Sequence, residues 1–222
     1  MENASHGIQR SRRLGIGWRI PALMFVPMAF LILPSIARLL FFANGTAATS
    51  PTDAAFIRHA GMGKIHIILG LVMILLGPTQ FIGSIRKRWP AFHRWSGRVF
   101  VLSGFTAAIT GFAMNILFPP VGGLLKVAAI FIMSITLFVA LIVALRAILR
   151  GDVATHKAWM IRAYAVPLAG GATGIFVLPF AIAHGEPSDL ELGCGRWAAL
   201  LITAAIVEFG LLRKRSPGGQ PR

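Results

Sequence analysis

The chain has 222 residues, of which 56% are hydrophobic and only 13% are charged. This much apolar surface exceeds what one water-soluble core can bury, so the composition excludes a soluble domain and indicates an integral membrane protein. The formal net charge of +15 would suit a nucleic-acid-binding protein. However, the basic residues form clusters at alternate ends of the apolar segments. This distribution indicates a membrane topology in which the clusters contact anionic lipid headgroups. We therefore expect no nucleic-acid partner.

Six apolar windows are long enough to cross a bilayer as helices, which takes about 20 residues each. They cover residues 20–42, 58–82, 96–118, 122–145, 158–183 and 196–212. The predicted fold is therefore an all-α polytopic membrane bundle. Its transmembrane domain spans 20–212, between basic tails at 1–19 and 213–222. Because basic and acidic loops alternate, the positive-inside rule places both tails in the cytoplasm.

The starts of the first two helices carry local signals. The first span contains Pro27 and Pro34, which each remove a backbone donor and predict a bend. Ahead of the second span, Ser50, Pro51 and Asp53 match a helix N-cap, a first-turn proline and a carboxylate at the third position. The second helix is therefore expected to begin near Pro51 and to extend beyond the membrane.

Three spans carry histidine and small residues at alternating steps of four and three, which keeps them on one helical face. The stripes are His59, Gly63, His66, Gly70, Met73, Gly77 and Gln80; His93, Gly97, Phe100, Gly104, Ala107, Gly111 and Met114; and His156, Met160, Ala163, Pro167, Gly170, Gly174, Val177, Ala181 and His184. Small residues permit the close approach of a helix or a flat ligand. Imidazoles bind metals or carry protons.

Histidines on facing helices of a membrane bundle are typical of b-type haem sites, so the stripes suggest haem b. An inner site would pair His93 with His156, and an outer site would pair His66, or His59, with His184. The residues expected to leave room for the porphyrin or to meet its propionates are Gly63, Gly70, Gly97 and Gly174, and Arg94, Arg98, Lys157 and Arg162.

Two alternatives to haem stay open. In the first alternative, the imidazoles lie in the headgroup layer of the membrane and the glycines serve helix packing alone. A separate metal ion held by the same histidines is less favoured, because no carboxylate or thiolate accompanies them.

Charged and polar residues inside the spans are expected to be paired or to reach the membrane surface. Three long basic side chains lie near one boundary and are expected to snorkel to it: Arg38, Lys64 and Lys126. Glu208 is expected to form a structural ion pair with Arg98, Arg162 or Arg213, in preference to a proton relay. Three lone polar residues are expected to join helices by hydrogen bonds: Gln80, Asn115 and Tyr164.

Three sequence blocks are distinctive: Gly77-Pro78-Thr79-Gln80-Phe81, His93-Arg94-Trp95-Ser96-Gly97-Arg98 and His156-Lys157-Ala158-Trp159-Met160-Ile161-Arg162. They resemble a family of bacterial predicted membrane proteins of unknown function, over roughly residues 60–182. The resemblance implies a multi-pass protein of the bacterial cytoplasmic membrane and no particular activity. Its signature positions would be His66, Gln80, Arg86, His93, Arg94, His156, Trp159 and Arg162. A looser likeness connects the chain to dihaem cytochrome b and ferric-reductase-like membrane proteins.

Two functions are consistent with these patterns. The first is transmembrane electron transfer through one or two b-type haems, with a quinone or a membrane redox protein as partner, so that any enzyme activity would be at most redox. The second is non-enzymatic binding of a lipid, a quinone or a small anionic solute, or assistance in assembling a partner complex. In that case helix N-termini with nearby histidine and arginine would recognise the anion.

Overall fold

The computed structural model describes residues 19–48 and 50–215. Within these residues the chain forms eight α-helices and no strand. The helices are α1 (Arg19–Ala43), α2 (Pro51–Arg58), α3 (Ala60–Phe81), α4 (Gly83–Arg88), α5 (Pro90–Leu117), α6 (Gly123–Leu149), α7 (Val153–His184) and α8 (Asp189–Arg215). Six of the described helices, all except α2 and α4, are long and apolar enough to cross a membrane. The all-α, multi-pass architecture is therefore confirmed.

The helices and the predicted spans differ in their bounds. Helix α5 begins at Pro90 rather than at residue 96, and α7 and α8 begin at Val153 and Asp189. The spans underestimate these helices because hydropathy detects only the part inside hydrocarbon, whereas a helix continues into the interface. Helix α8 also runs to Arg215, which is three residues into the predicted tail at 213–222. The rest of that tail and residues 1–18 lie outside the described residues.

The predicted N-cap ahead of the second span is confirmed. The hydroxyl oxygen of Ser50 accepts a hydrogen bond from the backbone N–H of Asp53 at 3.1 Å, and Pro51 occupies the first turn. The expectation of one continuous helix from Pro51 is wrong, because His59 has φ −112° and ψ 38°. This non-helical residue separates the short helix α2 from α3.

Contacts between the long helices establish their directions. His66 lies against Gly111 while Gln80 lies against Gly97, so α3 and α5 are antiparallel. Phe105 contacts Phe138 and Phe112 contacts Phe131, so α5 and α6 are antiparallel as well. Successive long helices thus alternate in direction across the bundle.

The alternation brings the connections together at two ends of the bundle. One end holds α2 and the connections 118–122 and 185–188, and there Phe56 packs edge-on against Phe118 with ring centroids 4.7 Å apart. We call it the α2 end. The opposite end holds α4 and the connection 150–152, and we call it the α4 end.

Tyr164 occupies the centre of the bundle and compensates for a proline in α3. Pro78 has no N–H, so the carbonyl of Ile74, one turn earlier, has no helical donor. The hydroxyl of Tyr164 donates to that carbonyl at 2.9 Å. Gly77 makes room for the ring, because a methyl group at this position would overlap it. The Gly-Pro pair and Tyr164 therefore form one packing unit, and Tyr164 is only 2% exposed.

The other two lone polar residues also join helices. The side-chain nitrogen of Gln80 donates to the hydroxyl of Ser96 on α5 at 2.8 Å. The side-chain nitrogen of Asn115 donates to the carbonyl of Val127 on α6 at 2.9 Å. The predicted interhelical hydrogen bonds of Gln80, Asn115 and Tyr164 are therefore confirmed.

Candidate functional site

The glycines expected to leave room for a porphyrin mostly face side chains of the protein itself. A Cβ at Gly97 would lie 3.1 Å from the amide oxygen of Gln80, and one at Gly63 would lie 2.9 Å from the ring of Phe56. At Gly174 it would overlap the ring of Phe30. Helix packing therefore accounts for three of the four positions. Only Gly70 has no atom within 4 Å of its Cβ position, and it lines a cavity.

The histidines proposed for an outer site have separate partners. His66 is half-buried, and its Nδ1 lies 2.8 Å from the hydroxyl of Thr110. His184 is exposed, and its Nε2 lies 3.1 Å from Glu191. The ring of His59 stacks on Phe118.

The histidines proposed for an inner site both lie at the α4 end. His93 interacts electrostatically with His156 and with Arg86. The Nδ1 of His156 lies 2.9 Å from the carbonyl oxygen of Ala144, so this nitrogen donates and Nε2 carries the lone pair. The Nδ1 of His93 is buried and has no hydrogen-bond partner within residues 19–48 and 50–215.

The arginines proposed to meet haem propionates lie mainly on the surface. Arg94 and Arg98 are exposed, and the guanidinium of Arg98 lies over the ring of Trp95 at 4.7 Å. Arg162 donates two hydrogen bonds to Glu208, at 2.6 and 2.7 Å. The predicted ion pair of Glu208 is therefore confirmed, with Arg162 as the partner. Among the described residues, no group of three or more His, Cys, Asp or Glu side chains is arranged to hold a metal ion.

A cavity of about 400 Å³ lies towards the α2 end, between α1, α3, α5, α6, α7 and α8. Its size is within the roughly 300–1,000 Å³ typical of small-molecule sites. Most of its lining is apolar, with Met73, Ile74 and Leu137 among the buried contributors. The polar side chains that line it are Ser35, Thr52, His66, Asn115, Lys126, Ser134 and Arg196. The cavity thus combines an apolar wall with two basic groups.

Arg196 is the least compensated charge in this cavity. Arg196 is half-buried, with its guanidinium closely surrounded by protein, and one Nη donates a long hydrogen bond of 3.4 Å to the carbonyl of Gly170. Its Nε is buried, with no hydrogen-bond partner in the part of the chain that the structure describes. No carboxylate within the described residues forms an ion pair with it. A buried charge of this kind is unfavourable unless something else compensates it.

The charge of the second basic group, Lys126, is partly compensated by a nearby carboxylate. Its Nζ donates to the carbonyl of Val121 at 2.6 Å. Asp189 attracts Lys126 electrostatically, whereas Arg196 repels it. The carboxylate of Asp189 also accepts a hydrogen bond from the backbone N–H of Gly122 at 2.7 Å. Asp189 therefore partly compensates Lys126, whereas Arg196 has no ion-pair partner among the described residues, so the cavity retains an excess of positive charge.

The hydrogen bonds around His66 determine which of its ring nitrogens carries the hydrogen. The hydroxyl of Thr110 donates its hydrogen to the carbonyl of Thr106 at 2.6 Å, so it must accept from the Nδ1–H of His66. The Nε2 of His66 then carries the lone pair. The ring lies against Gly111, where a Cβ would be 3.3 Å from Cε1 of the imidazole. Gly111 therefore makes room for the His66 ring beside the cavity.

The family model described as "Predicted membrane protein (DUF2306)" matches residues 63–211. The chain belongs to this family. The resemblance expected from the sequence blocks is confirmed, and the DUF2306 match extends beyond them through most of α8. It includes His66, Lys126 and Arg196. No curated protein and no solved structure matches the chain.

Sequence reasoning did not single out Arg196 in this DUF2306 protein. The sequence predicted only that Lys126 would extend to the membrane surface, and it identified Arg196 only as the first residue of the sixth predicted span. One signal was present: Arg196 lies on a spanning helix with no acidic residue three or four positions away, so it has no partner on its own helix face.

Proposed function

We propose that this protein binds an amphipathic organic anion in the cavity towards the α2 end. The observation that carries the proposal is Arg196. Among the residues that the structure describes, its buried Nε has no hydrogen-bond partner and its charge forms no ion pair with a carboxylate. A carboxylate or phosphate group in the cavity would accept from this guanidinium and neutralise it. Such charge-assisted hydrogen bonds are among the stronger polar contacts in proteins.

The remainder of the cavity supports an apolar body for the ligand. Met73 is 1% exposed, Ile74 is 3% exposed and Leu137 is 5% exposed, and all three contribute to the lining. An inorganic anion would leave this apolar surface without contacts. An acyl or aromatic body would fill it while the anionic group lies near Lys126 and Arg196.

The test compares two probes that differ only in the charged group: laurate and its neutral analogue dodecanol. Binding is measured to the purified protein in nanodiscs, for the wild type, for Arg196→Gln and for the control Arg98→Gln, which alters an exposed arginine. Since a hydrogen bond to a charged group contributes about 1.5–3 kcal/mol, Arg196→Gln is expected to weaken laurate binding about tenfold to a hundredfold.

The control and the neutral probe make the outcome specific. Dodecanol should bind the wild type and Arg196→Gln equally, and Arg98→Gln should bind laurate as the wild type does. Removing the unpaired buried charge should not destabilise the empty protein, so weaker binding would not reflect unfolding. Equal affinity of the wild type and Arg196→Gln for laurate would refute the proposal.

A second candidate is transmembrane electron transfer through haem b at the α4 end. It is favoured by the state of two imidazoles: the Nδ1 of His156 donates to the carbonyl of Ala144, which leaves the lone pair on Nε2, and His93 has a buried nitrogen without a partner among the described residues. These residues would supply the axial ligands, and haem would supply one-electron chemistry. A reduced-minus-oxidised visible spectrum tests it. Protein from haem-replete cells without Soret absorbance would exclude this candidate.

We further propose that the α4 end faces the cytoplasm of a bacterial cell. Helix α4 ends in Arg86, Lys87 and Arg88, and basic residues favour the cytoplasmic side, where they contact anionic lipid headgroups. Trp89 and Trp95 are 56% and 66% exposed beside this cluster, as in an interfacial belt. A reporter that is active only in the cytoplasm, fused to the carboxyl terminus, should be active. An active periplasmic reporter there would reverse the assignment.

A further inference from the structure

A groove of about 240 Å³ lies on the surface between α5 and α6. Ile109 and Ile135 line it and are 57% and 52% exposed, within helices that are apolar enough to span the membrane. Exposed isoleucines in the middle of spanning helices face lipid. The groove is therefore open to the hydrocarbon of the bilayer.

Two small side chains, Ala108 and Ser134, line both this groove and the interior cavity. They are 3% and 8% exposed, so they form a closed wall. Behind that wall, both the Ser134 hydroxyl and the ring of His66 approach the Cβ position of Gly111, at 3.4 and 3.3 Å respectively. A molecule that passed between Ala108 and Ser134 would thus arrive beside His66.

Two aromatic contacts frame the groove along the helices. Phe105 meets Phe138 with ring centroids 5.2 Å apart, and Phe112 meets Phe131 at 4.8 Å. These contacts are seven residues apart on each helix, so the stretch between them is about 10 Å long. Large rings hold α5 and α6 together at both limits, while the wall between them consists of a methyl and a hydroxymethyl group.

We propose that the ligand of the cavity enters from the bilayer, through the window between α5 and α6 whose wall is Ala108 and Ser134. This inference rests on the proposed function and specifies its ligand as a membrane-dissolved anion with an acyl chain. The chain lies along the groove during entry, and the anionic group moves inward past His66 to the basic side chains. A water-borne anion would have no need of a lipid-facing window.

The test narrows the window from the lipid side and leaves the cavity intact. Ile109 and Ile135 line the groove but not the cavity, so the double variant Ile109→Trp/Ile135→Trp covers the window without altering the binding site. The matched control is Leu102→Trp/Ile116→Trp, at two exposed positions of α5 that do not line the groove. Exchange of isotope-labelled laurate between the bilayer and the protein in nanodiscs is followed by NMR.

The window variant is expected to slow both association and dissociation of laurate by about tenfold or more, with an unchanged Kd, because a barrier on the path alters rates and not the end states. The control should exchange at the wild-type rate. Ala108→Gly, which thins the wall, should exchange faster than the wild type.

Two results would contradict the inference in distinguishable ways. If laurate binds the wild type and the window variant exchanges it at the wild-type rate, the ligand enters elsewhere and only the window is refuted. If the window variant binds laurate more weakly but does not exchange it more slowly, the window alone is likewise refuted. If the wild type does not bind laurate, the proposed function fails together with the window.

Discussion

Replacing Tyr164 by phenylalanine tests how the centre of the bundle is held together. The variant keeps the ring beside Gly77 and removes the hydroxyl donor that compensates for Pro78, so the Ile74 carbonyl is expected to be left buried without that hydrogen bond. An unsatisfied buried polar group costs about 1–3 kcal/mol in water-soluble proteins. Interhelical hydrogen bonds in membranes average about 0.6 kcal/mol, with a maximum near 1.7. We therefore expect a loss of about 1–1.5 kcal/mol.

The assay is reversible unfolding in mixed micelles of detergent and SDS, with the free energy of unfolding extrapolated to the absence of SDS. Thr106→Val is the matched control, because its hydroxyl donates to the carbonyl of Leu102, which already accepts from its own helix. This control should change the free energy of unfolding by less than about 0.5 kcal/mol.

A double-mutant cycle isolates the contribution of the proline. Pro78→Ala restores a backbone N–H that can donate to Ile74, so Tyr164→Phe should cost less in that background than in the wild type. An equal cost in both backgrounds, or a cost of Tyr164→Phe no larger than that of Thr106→Val, would refute the compensation of Pro78 by Tyr164.

Two further predictions concern helix packing and capping. In Gly171→Ala the new methyl group would overlap the carbonyl oxygen of Pro27 on α1, so we expect the free energy of unfolding to fall by about 1–3 kcal/mol in the same assay. The control Gly210→Ala adds a methyl group at a position with no atom within 4 Å and should not lose stability. Equal losses in the two variants would contradict this packing contact. Hydrogen bonds from Thr155 lower the pKa of Asp152 below its ordinary value of 3.8, so the wild type should be more stable than Asp152→Ala at neutral pH. This advantage should fade as the pH falls through the lowered pKa of Asp152. The measurement is thermal unfolding at pH 7 and pH 3, and the same difference in stability between the wild type and Asp152→Ala at both values would contradict the prediction.

The parts of the fold that the sequence predicts are those imposed by the bilayer. Backbone groups in hydrocarbon must be satisfied within a helix, so long apolar windows can form little else. The pairing of Glu208 was predictable for a similar reason, because a carboxylate near a membrane boundary needs a cation and few are at its depth. The break at His59 was not predictable, since no proline or glycine stands at that position.

The cavity could not be derived from periodicity. Its charge depends on Arg196 from α8 and Lys126 from α6 lying near each other, and its lining also requires His66 from α3. No pattern within one helix encodes these distances. The glycine stripes illustrate the same limit: Gly97 and Gly70 have the same spacing pattern, yet Gln80 covers the first and the second is open. Only the identity of the facing residue distinguishes a packing contact from a space.

The most direct test of the central claim is to identify what the protein carries when it is purified from membranes. Native mass spectrometry should find an acidic amphiphile bound to the wild type and to Arg98→Gln, and should find it missing from Arg196→Gln. If all three proteins carry the same molecule in the same amount, Arg196 does not bind the anion and the proposed site is wrong.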